Sequence, residues 1–264
     1  NWDVYGFGQM TADRTGERAA NSRVGVGGHF RMSEALLLGG EVSEGDGGFG
    51  SLASAEWLVN DRTNLYLNYE TGTDRTDIGY RGRSTRMTTG ARHRFSESTS
   101  VFTERRWQES GGPSGLSHAI GIDYAAEDHW TLGATIEHGT LSHVTTGDID
   151  RTAATVSIGR SGERLDFASA VEWRGDTSEV DDRRSWLFRN TATLRVNESL
   201  RLLGRFNLAE SKTSRGAFYS GDFIEAVFGV GYRPVSNDRL NLLFRYTFFE
   251  DLPSPGQLDP RGAT

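Results

Sequence analysis

The alternation of side chains across residues 222–251, DFIEAVFGVGYRPVSNDRLNLLFRYTFFED, constrains the fold of this chain more than any other feature. Two segments in which apolar residues occupy every second position flank a polar stretch at 234–238. Side chains on a β-strand point to opposite faces with a period of two. The segment is therefore predicted to be a β-hairpin with one apolar face and one face that carries Glu225, Arg233 and Arg245.

The same unit recurs along the chain, as alternating segments of about ten residues that are separated by two kinds of connection. Short polar turns lie at 32–34, 60–62, 96–98, 127–129, 161–163, 197–199 and 236–238. Longer connections rich in glycine and charge lie at 12–20, 44–48, 73–83, 109–115, 140–150, 175–184 and 210–221, with a last one from 251. The two kinds alternate strictly, so the sequence predicts fifteen consecutive antiparallel strands.

Composition excludes several classes of protein. The longest aliphatic run is Leu36–Leu38, far short of the ~18 apolar residues that a transmembrane helix needs. The absence of cysteine removes a disulfide framework and any cysteine-based metal site. The net charge of −7 is spread along the chain without a basic block, which argues against a nucleic-acid partner. A membrane barrel remains compatible with the mean hydropathy of −0.53, because only every second strand residue must be apolar.

The tryptophans favour a membrane barrel over a soluble sandwich or jelly roll. Each lies towards one end of a predicted strand, where its apolar ring and polar N–H suit the interface between hydrocarbon and water. The membrane-interface set is Trp2, Trp57 and Trp130 beside chain ends or short turns, and Trp107, Trp173 and Trp186 beside the longer loops. A sandwich with tryptophan at its rims would have to place the charges of the polar face in a core, whereas a wide barrel exposes them to water.

Short turns at one side and longer loops at the other make residues 1–250 resemble Gram-negative outer-membrane β-barrels. The segment YRPVSNDRLNLLFRYTFFEDLPSPGQ resembles the barrel portion of large multidomain outer-membrane proteins. The resemblance implies an antiparallel up-and-down transmembrane barrel over 1–251 in the outer membrane, surrounded by lipid and lipopolysaccharide. It also implies that Asn1 is periplasmic and that 252–264 form an extracellular loop or disordered tail. The sequence departs from such barrels at Thr264, because they commonly end in a strand with a terminal aromatic residue.

An odd number of strands leaves the predicted barrel open. The first and fifteenth strands would run in the same direction, whereas bacterial barrels are even-stranded and antiparallel. Pro253 and Pro255 prevent the tail from forming a further strand in lipid. We therefore expect sixteen or more strands in the complete barrel, with the additional strands, or a plug, contributed by other residues or by another chain. Parallel pairing of the first strand with 239–249 would contradict this expectation.

Alternation places many charged side chains on the face opposite the apolar one. About sixteen strands enclose a lumen wide enough for water, and this set is predicted to line it: Glu41, Glu56, Glu70, Arg86, Arg92, Arg94, Glu137, Glu172, Arg189, Arg195, Arg201, Arg205, Glu225, Arg233 and Arg245. These residues could form a solute path of mixed charge with weak ion selectivity. Alternatively, they could form salt bridges that satisfy a polar wall. The strand at 100–108 is ambiguous, because its charges alternate onto both faces.

No catalytic residue, metal ligand or cofactor site is predicted. Several polar residues near one loop have the residue types of a hydrolase site but not the spacing of a known motif: Glu137, His138, Ser142, His143, Asp148 and Asp150. The loops around Gly45–Gly48 and Asp176–Asp182 lack the ligand spacing of a calcium loop.

Three functions fit these observations. The favoured one is a non-enzymatic aqueous conduit across the outer membrane that belongs to a larger protein or assembly. The first alternative is a stand-alone diffusion porin. The second is a barrel that anchors or exports a surface domain while its pore is plugged.

Overall fold

The computed structural model describes residues 1–11, 22–75, 81–110, 114–126, 129–143, 147–215, 222–235 and 241–252. These residues form fifteen strands: β1 Trp2–Gln9, β2 Arg23–Arg31, β3 Leu36–Gly45, β4 Gly50–Asn60, β5 Thr63–Arg75, β6 Arg81–Arg94, β7 Thr99–Ser110, β8 Ser114–Ala125, β9 Trp130–His143, β10 Gly147–Ser161, β11 Leu165–Ser178, β12 Asp182–Arg195, β13 Leu200–Thr213, β14 Phe223–Tyr232 and β15 Leu242–Asp251. None of the described residues belongs to a helix that is long and apolar enough to span a bilayer.

The strands form one sheet in which sequence order equals spatial order, from β1 to β15. Each strand pairs antiparallel with its neighbours in the chain, so the up-and-down arrangement and the predicted number of strands are confirmed. Within the described ranges β1 does not pair with β15, and the parallel pairing that would contradict a further strand does not occur. How the barrel closes stays a prediction. The tail prediction falls largely on residues 253–264, which lie outside the described ranges.

The short turns are closed by polar side chains at or near their first position. The Ser33 hydroxyl accepts the N–H of Leu36 at 3.1 Å, and the Asn60 side-chain oxygen accepts the N–H of Arg62 at 2.9 Å. Asn197 accepts two N–H groups, those of Ser199 and Leu200, each at 2.9 Å. Such side chains replace the backbone partners that a reversing chain loses, which explains why serine and asparagine occur there.

Most of the longer connections are shorter than predicted, because the strands continue into them. The connection predicted at 12–20 is an exception, since β1 ends at Gln9 and β2 begins at Arg23, and residues 12–20 lie outside the described ranges. β11 reaches Ser178 and β12 begins at Asp182, so most of the predicted loop 175–184 is paired strand. β10 has 15 residues, whereas a tilted strand needs about 9–11 to cross a bilayer. The apolar pattern ends where the hydrocarbon would end, but the backbone pairing carries on through polar residues. The side chains of Thr140 and Asp150, for example, are joined across β9 and β10 by a 3.0 Å hydrogen bond.

Candidate functional site

The two faces of the sheet differ sharply in burial and polarity. One face carries the buried charged residues Arg151, Glu172, Arg174, Asp176 and Arg183, and we call it the inner face. The other, the outer face, exposes large apolar side chains to between 61% and 68% at Ile120, Ile136 and Val156. Residues opposite one another in the register point to the same side, so the pairings assign every described strand residue to a face.

The inner face is the concave one. Tyr66 on β5 donates a 2.5 Å hydrogen bond to Glu104 on β7, which passes over β6. Arg106 on β7 forms a 2.5 Å ion pair with Glu137 on β9, which passes over β8. Strands lie about 4.8 Å apart, so contacts between alternate strands need side chains that converge as the sheet curls. This curvature turns the polar face towards an enclosed space.

Fourteen of the fifteen residues predicted to line the lumen lie in strands on the inner face: Glu41, Glu56, Glu70, Arg86, Arg92, Arg94, Glu137, Glu172, Arg189, Arg195, Arg201, Arg205, Glu225 and Arg245. Arg233 follows the end of β14, where its backbone N–H donates to Ser199 at 2.8 Å. Contact of these residues with lumen water stays a prediction.

The loop end of the inner face on β10 to β12 is held by a buried ionic cluster. Asp176 accepts the Nε–H of Arg151 at 2.7 Å and the Nε–H of Arg183 at 3.1 Å, and its own side chain is fully buried. Two guanidinium groups around one carboxylate form charge-assisted hydrogen bonds that replace the water lost on burial. None of these three residues is among the fifteen that were predicted to line the lumen.

Two similar clusters lie next to this one. Glu172 pairs with Arg174 at 2.5 Å and with Arg189 at 2.7 Å. Glu137 binds Arg106 and also accepts the Ser117 hydroxyl at 2.8 Å. Together with the Asp176 cluster they make the loop end of β7 to β12 a wall in which each of these arginines contacts a carboxylate.

The short-turn end of the inner face on β12 to β15 is different. Arg195, Arg201, Arg205 and Arg245 are exposed there. In the described part of the chain no ion pair or side-chain hydrogen bond engages them, and we call these four residues the arginine arc. Sequence reasoning found all four but could not separate them from the paired arginines, because pairing depends on the register between strands.

Aromatic rings lie flat on the inner wall over glycines, which the sequence did not reveal. A Cβ on Gly27 would lie 2.6 Å from the ring of Tyr5, and one on Gly121 would lie 2.2 Å from the ring of Phe102. A side chain at either glycine would push the ring into the enclosed space. These glycines therefore keep inward aromatic residues against the wall.

All six tryptophans lie on the outer face. Trp2 and Trp130 begin β1 and β9, and Trp173 pairs directly with Trp186 across β11 and β12. The pair Trp173–Trp186 lies away from the strand ends, because both strands continue beyond the predicted boundaries. Between this pair and the loop, the outer face includes Thr177 and Arg184. The change from apolar to polar residues at the pair is what an interface would require, and an interfacial role for the tryptophans stays a prediction.

The ambiguous strand β7 is resolved by its register. Glu104 and Arg106 are on the inner face, while Arg105 is on the outer face opposite Thr89 and His118. Along the same row of paired residues the outer face also carries His138, Arg184 and Lys212, all exposed. The loop side of the outer face thus includes basic groups that the alternation pattern alone did not place.

The polar residues with hydrolase-like composition do not form one site. Glu137 and His143 lie on the inner face, but His138, Ser142, Asp148 and Asp150 lie on the outer face, so the wall separates them. His138 contacts Thr152 through Nδ1 at 3.1 Å. Among the described residues no group of three or more His, Cys, Asp or Glu side chains could hold a metal ion.

Comparison with solved structures identifies outer-membrane β-barrels. A bacterial polysaccharide outer membrane secretin matches with a TM-score of 0.52 and 11% identity, over 96% of this chain and 92% of that one. A loop-deletion mutant of OmpT, an outer membrane protein of Vibrio cholerae, gives 0.48 and 12% identity over 94% and 99% of the two chains. The anion-selective porin from Comamonas acidovorans gives 0.44 and 11% over 94% and 100%. No protein-family model matches the chain, and no curated protein matches it either.

The secretin likeness, at this identity, concerns the fold. Together with the antiparallel strand order and the apolar outer face, it confirms an outer-membrane β-barrel. A chain with this fold belongs in the outer membrane of a Gram-negative bacterium.

Proposed function

We propose that this chain forms the wall of an aqueous conduit across the outer membrane and is not an enzyme. One observation carries the proposal: the concave face presents exposed arginines while the convex face presents exposed apolar residues. An arginine on a face that lacks water is costly unless it is paired, and the arginine arc has no paired partners among the described residues. Water on the inner side of the wall would solvate the arc.

The proposal includes that the conduit is part of a larger protein or assembly. β1 and β15 each have one edge without a strand partner in the described ranges. A strand edge inside a bilayer leaves N–H and C=O groups without partners, which hydrocarbon does not tolerate. Further strands from other residues or another chain would satisfy both edges. A stand-alone porin and a plugged anchor or export barrel are the competing functions.

Outer-membrane lipid and lipopolysaccharide are the proposed surroundings of the outer face. The basic groups on the loop side, Arg105, Arg184 and Lys212, suit the phosphate groups of lipopolysaccharide, since guanidinium and ammonium groups bind phosphate through charge-assisted hydrogen bonds. No nucleic-acid partner and no cofactor is part of the proposal.

The conduit is tested by reconstituting the native protein from outer membranes into planar lipid bilayers. A conduit predicts stepwise current increases on insertion and a steady open conductance. Insertion without current would contradict the conduit and favour a plugged anchor. The mass of the native complex decides between a stand-alone porin and a barrel within a larger assembly.

A further inference from the structure

We infer that the arginine arc is a binding and selectivity site for multivalent anions that move through the conduit. The inference rests on the proposed function and specifies the class of solute. It starts from the contrast between the arc and the other inner arginines. Arg106, Arg151 and Arg189 each contact a carboxylate of the wall, whereas no ion pair engages the arc among the described residues.

The arc contains a like-charge pair that the fold alone does not explain. Arg195 and Arg201 are direct partners across β12 and β13. Like charges that lie directly opposite on one face destabilise a sheet. The partners of the arc on β14 are Gly231 for Arg201, Val227 for Arg205 and Gly229 for Arg245, and none of these can neutralise a guanidinium group. A bound anion would remove the repulsion.

The two inner carboxylates that border the arc are engaged elsewhere. Asp166 accepts the Ser161 hydroxyl at 2.7 Å and the Gly162 N–H at 3.2 Å within the turn from β10 to β11. Glu225 accepts the side-chain amide of Asn207 at 2.8 Å. Neither carboxylate contacts an arginine of the arc among the described residues, so the guanidinium groups face the concave side of the sheet.

The spacing of the arc favours a multivalent anion over a single small one. Arg201 and Arg205 are four residues apart on β13, about 13 Å along a strand, and β12 to β15 span about 14 Å across the sheet. A monovalent anion can reach one or two guanidinium groups at once. A linear solute with several carboxylate or phosphate groups can reach all four, and each group can accept two hydrogen bonds from one arginine.

The test replaces all four residues together, as Arg195→Gln, Arg201→Gln, Arg205→Gln and Arg245→Gln, in the native protein. The matched control is Arg160→Gln, an exposed arginine on the outer face that lies outside the basic groups proposed to bind lipopolysaccharide, and it is compared with a single Arg201→Gln variant. Tripolyphosphate is the probe, with chloride as the monovalent comparison and trilysine as the oppositely charged one. Binding is measured by calorimetry in detergent, and current block and reversal potential are measured in planar bilayers.

We expect tripolyphosphate to bind and block the unmodified protein and the outer-face control alike, and trilysine to do neither. The inner-face variant should need at least about tenfold more tripolyphosphate, and its preference for anions should fall. At 1 M salt the difference should disappear, because the screening length is about 3 Å. A separate Arg201→Gln variant gives the same test in a protein with a smaller change.

Two outcomes separate this inference from the conduit itself. Equal binding and equal selectivity in the inner-face variant and its control would overturn the arginine arc as a site, whatever the conductance. Tripolyphosphate binding that depends on the arc, in a protein that never conducts, would support the site and overturn the conduit.

Discussion

The inner face carries buried, ion-paired arginines at one end of β12 and exposed arginines at the other. At the loop end, Arg183 is buried against Asp176 together with Arg151. At the short-turn end, Arg195 is exposed beside Arg201. The side chains are chemically identical and lie on the same face of the same strand, so the difference arises from what the neighbouring strands present. An arginine on this face is therefore either paired within the wall or exposed, and the side chains that the register brings beside it decide which.

Replacing Asp176 with Asn should have the largest effect on stability. Arg151 and Arg183 would stay buried but would lose their ion pairs with Asp176, and breaking a buried ion pair lowers the free energy of unfolding by about 3–5 kcal/mol. The loss in free energy of unfolding is measured by guanidinium chloride unfolding of the protein in lipid vesicles, followed by tryptophan fluorescence. Asp123→Asn is the control, because the Asp123 and Arg92 side chains are 40% and 39% exposed and such a pair contributes about 0–1 kcal/mol. Equal losses in the two variants would remove the distinction between buried and exposed pairs.

The Gly121→Val variant tests side-chain packing, and not ion pairing, on the inner face of β8. Its Cβ would meet the Phe102 ring, and overpacking of this kind lowers the free energy of unfolding by about 1–3 kcal/mol. Phe102→Ala in the same background should recover part of the loss. Gly40→Val is the control, because a Cβ there meets nothing closer than 3.9 Å. A loss at Gly40 as large as that at Gly121 would show that the ring is not responsible.

Tyr66→Phe should lower the free energy of unfolding by a smaller amount. The variant loses the hydrogen bond to Glu104 but keeps the ring over Gly90. A hydrogen bond to a charged group contributes about 1.5–3 kcal/mol when buried, and this one is partly exposed, so we expect the lower end of that range. The same unfolding measurement applies. An unchanged free energy of unfolding would show that the contact between β5 and β7 does not hold the curvature.

Arg201→Gln should have the smallest effect on stability. An exposed side chain without partners changes the free energy of unfolding by about 0.5 kcal/mol or less, and removal of the repulsion from Arg195 makes a small gain the expected sign. The variant should nevertheless alter ion selectivity, as stated above for the arc. A large loss of stability would show that Arg201 belongs to the structural class with Asp176.

The fold was predictable from the sequence because it depends on a period of two. Leu240 to Phe249 already showed which side chains share a face, and tryptophan positions such as Trp130 favoured a membrane barrel over a soluble sandwich. The loop boundaries were not predictable in the same way. Residues such as Thr177 and Asp182 are polar on the outer face and still pair in the ladder, because backbone hydrogen bonding does not need apolar side chains.

The candidate site was only half predictable. The alternation placed Arg189 and Arg195 on one face, but their different roles depend on Glu172, which the register brings to Arg189 and not to Arg195. The contact between Arg106 and Glu137 also needs the curvature of β7 to β9. Local sequence contains neither the register nor the curvature, so paired and free charges look alike in it.

The central claim, that one face of the barrel wall meets water and the other meets lipid, is tested most directly by the accessibility of β13 to water and to lipid. These 264 residues include no cysteine, so a single spin-labelled cysteine can be placed in turn at each position from 201 to 206 of the protein in vesicles. We expect labels at 201, 203 and 205 to collide with a water-soluble nickel complex, and labels at 202, 204 and 206 to collide with oxygen dissolved in the lipid. Equal accessibility at all six positions, or the reverse alternation, would contradict it.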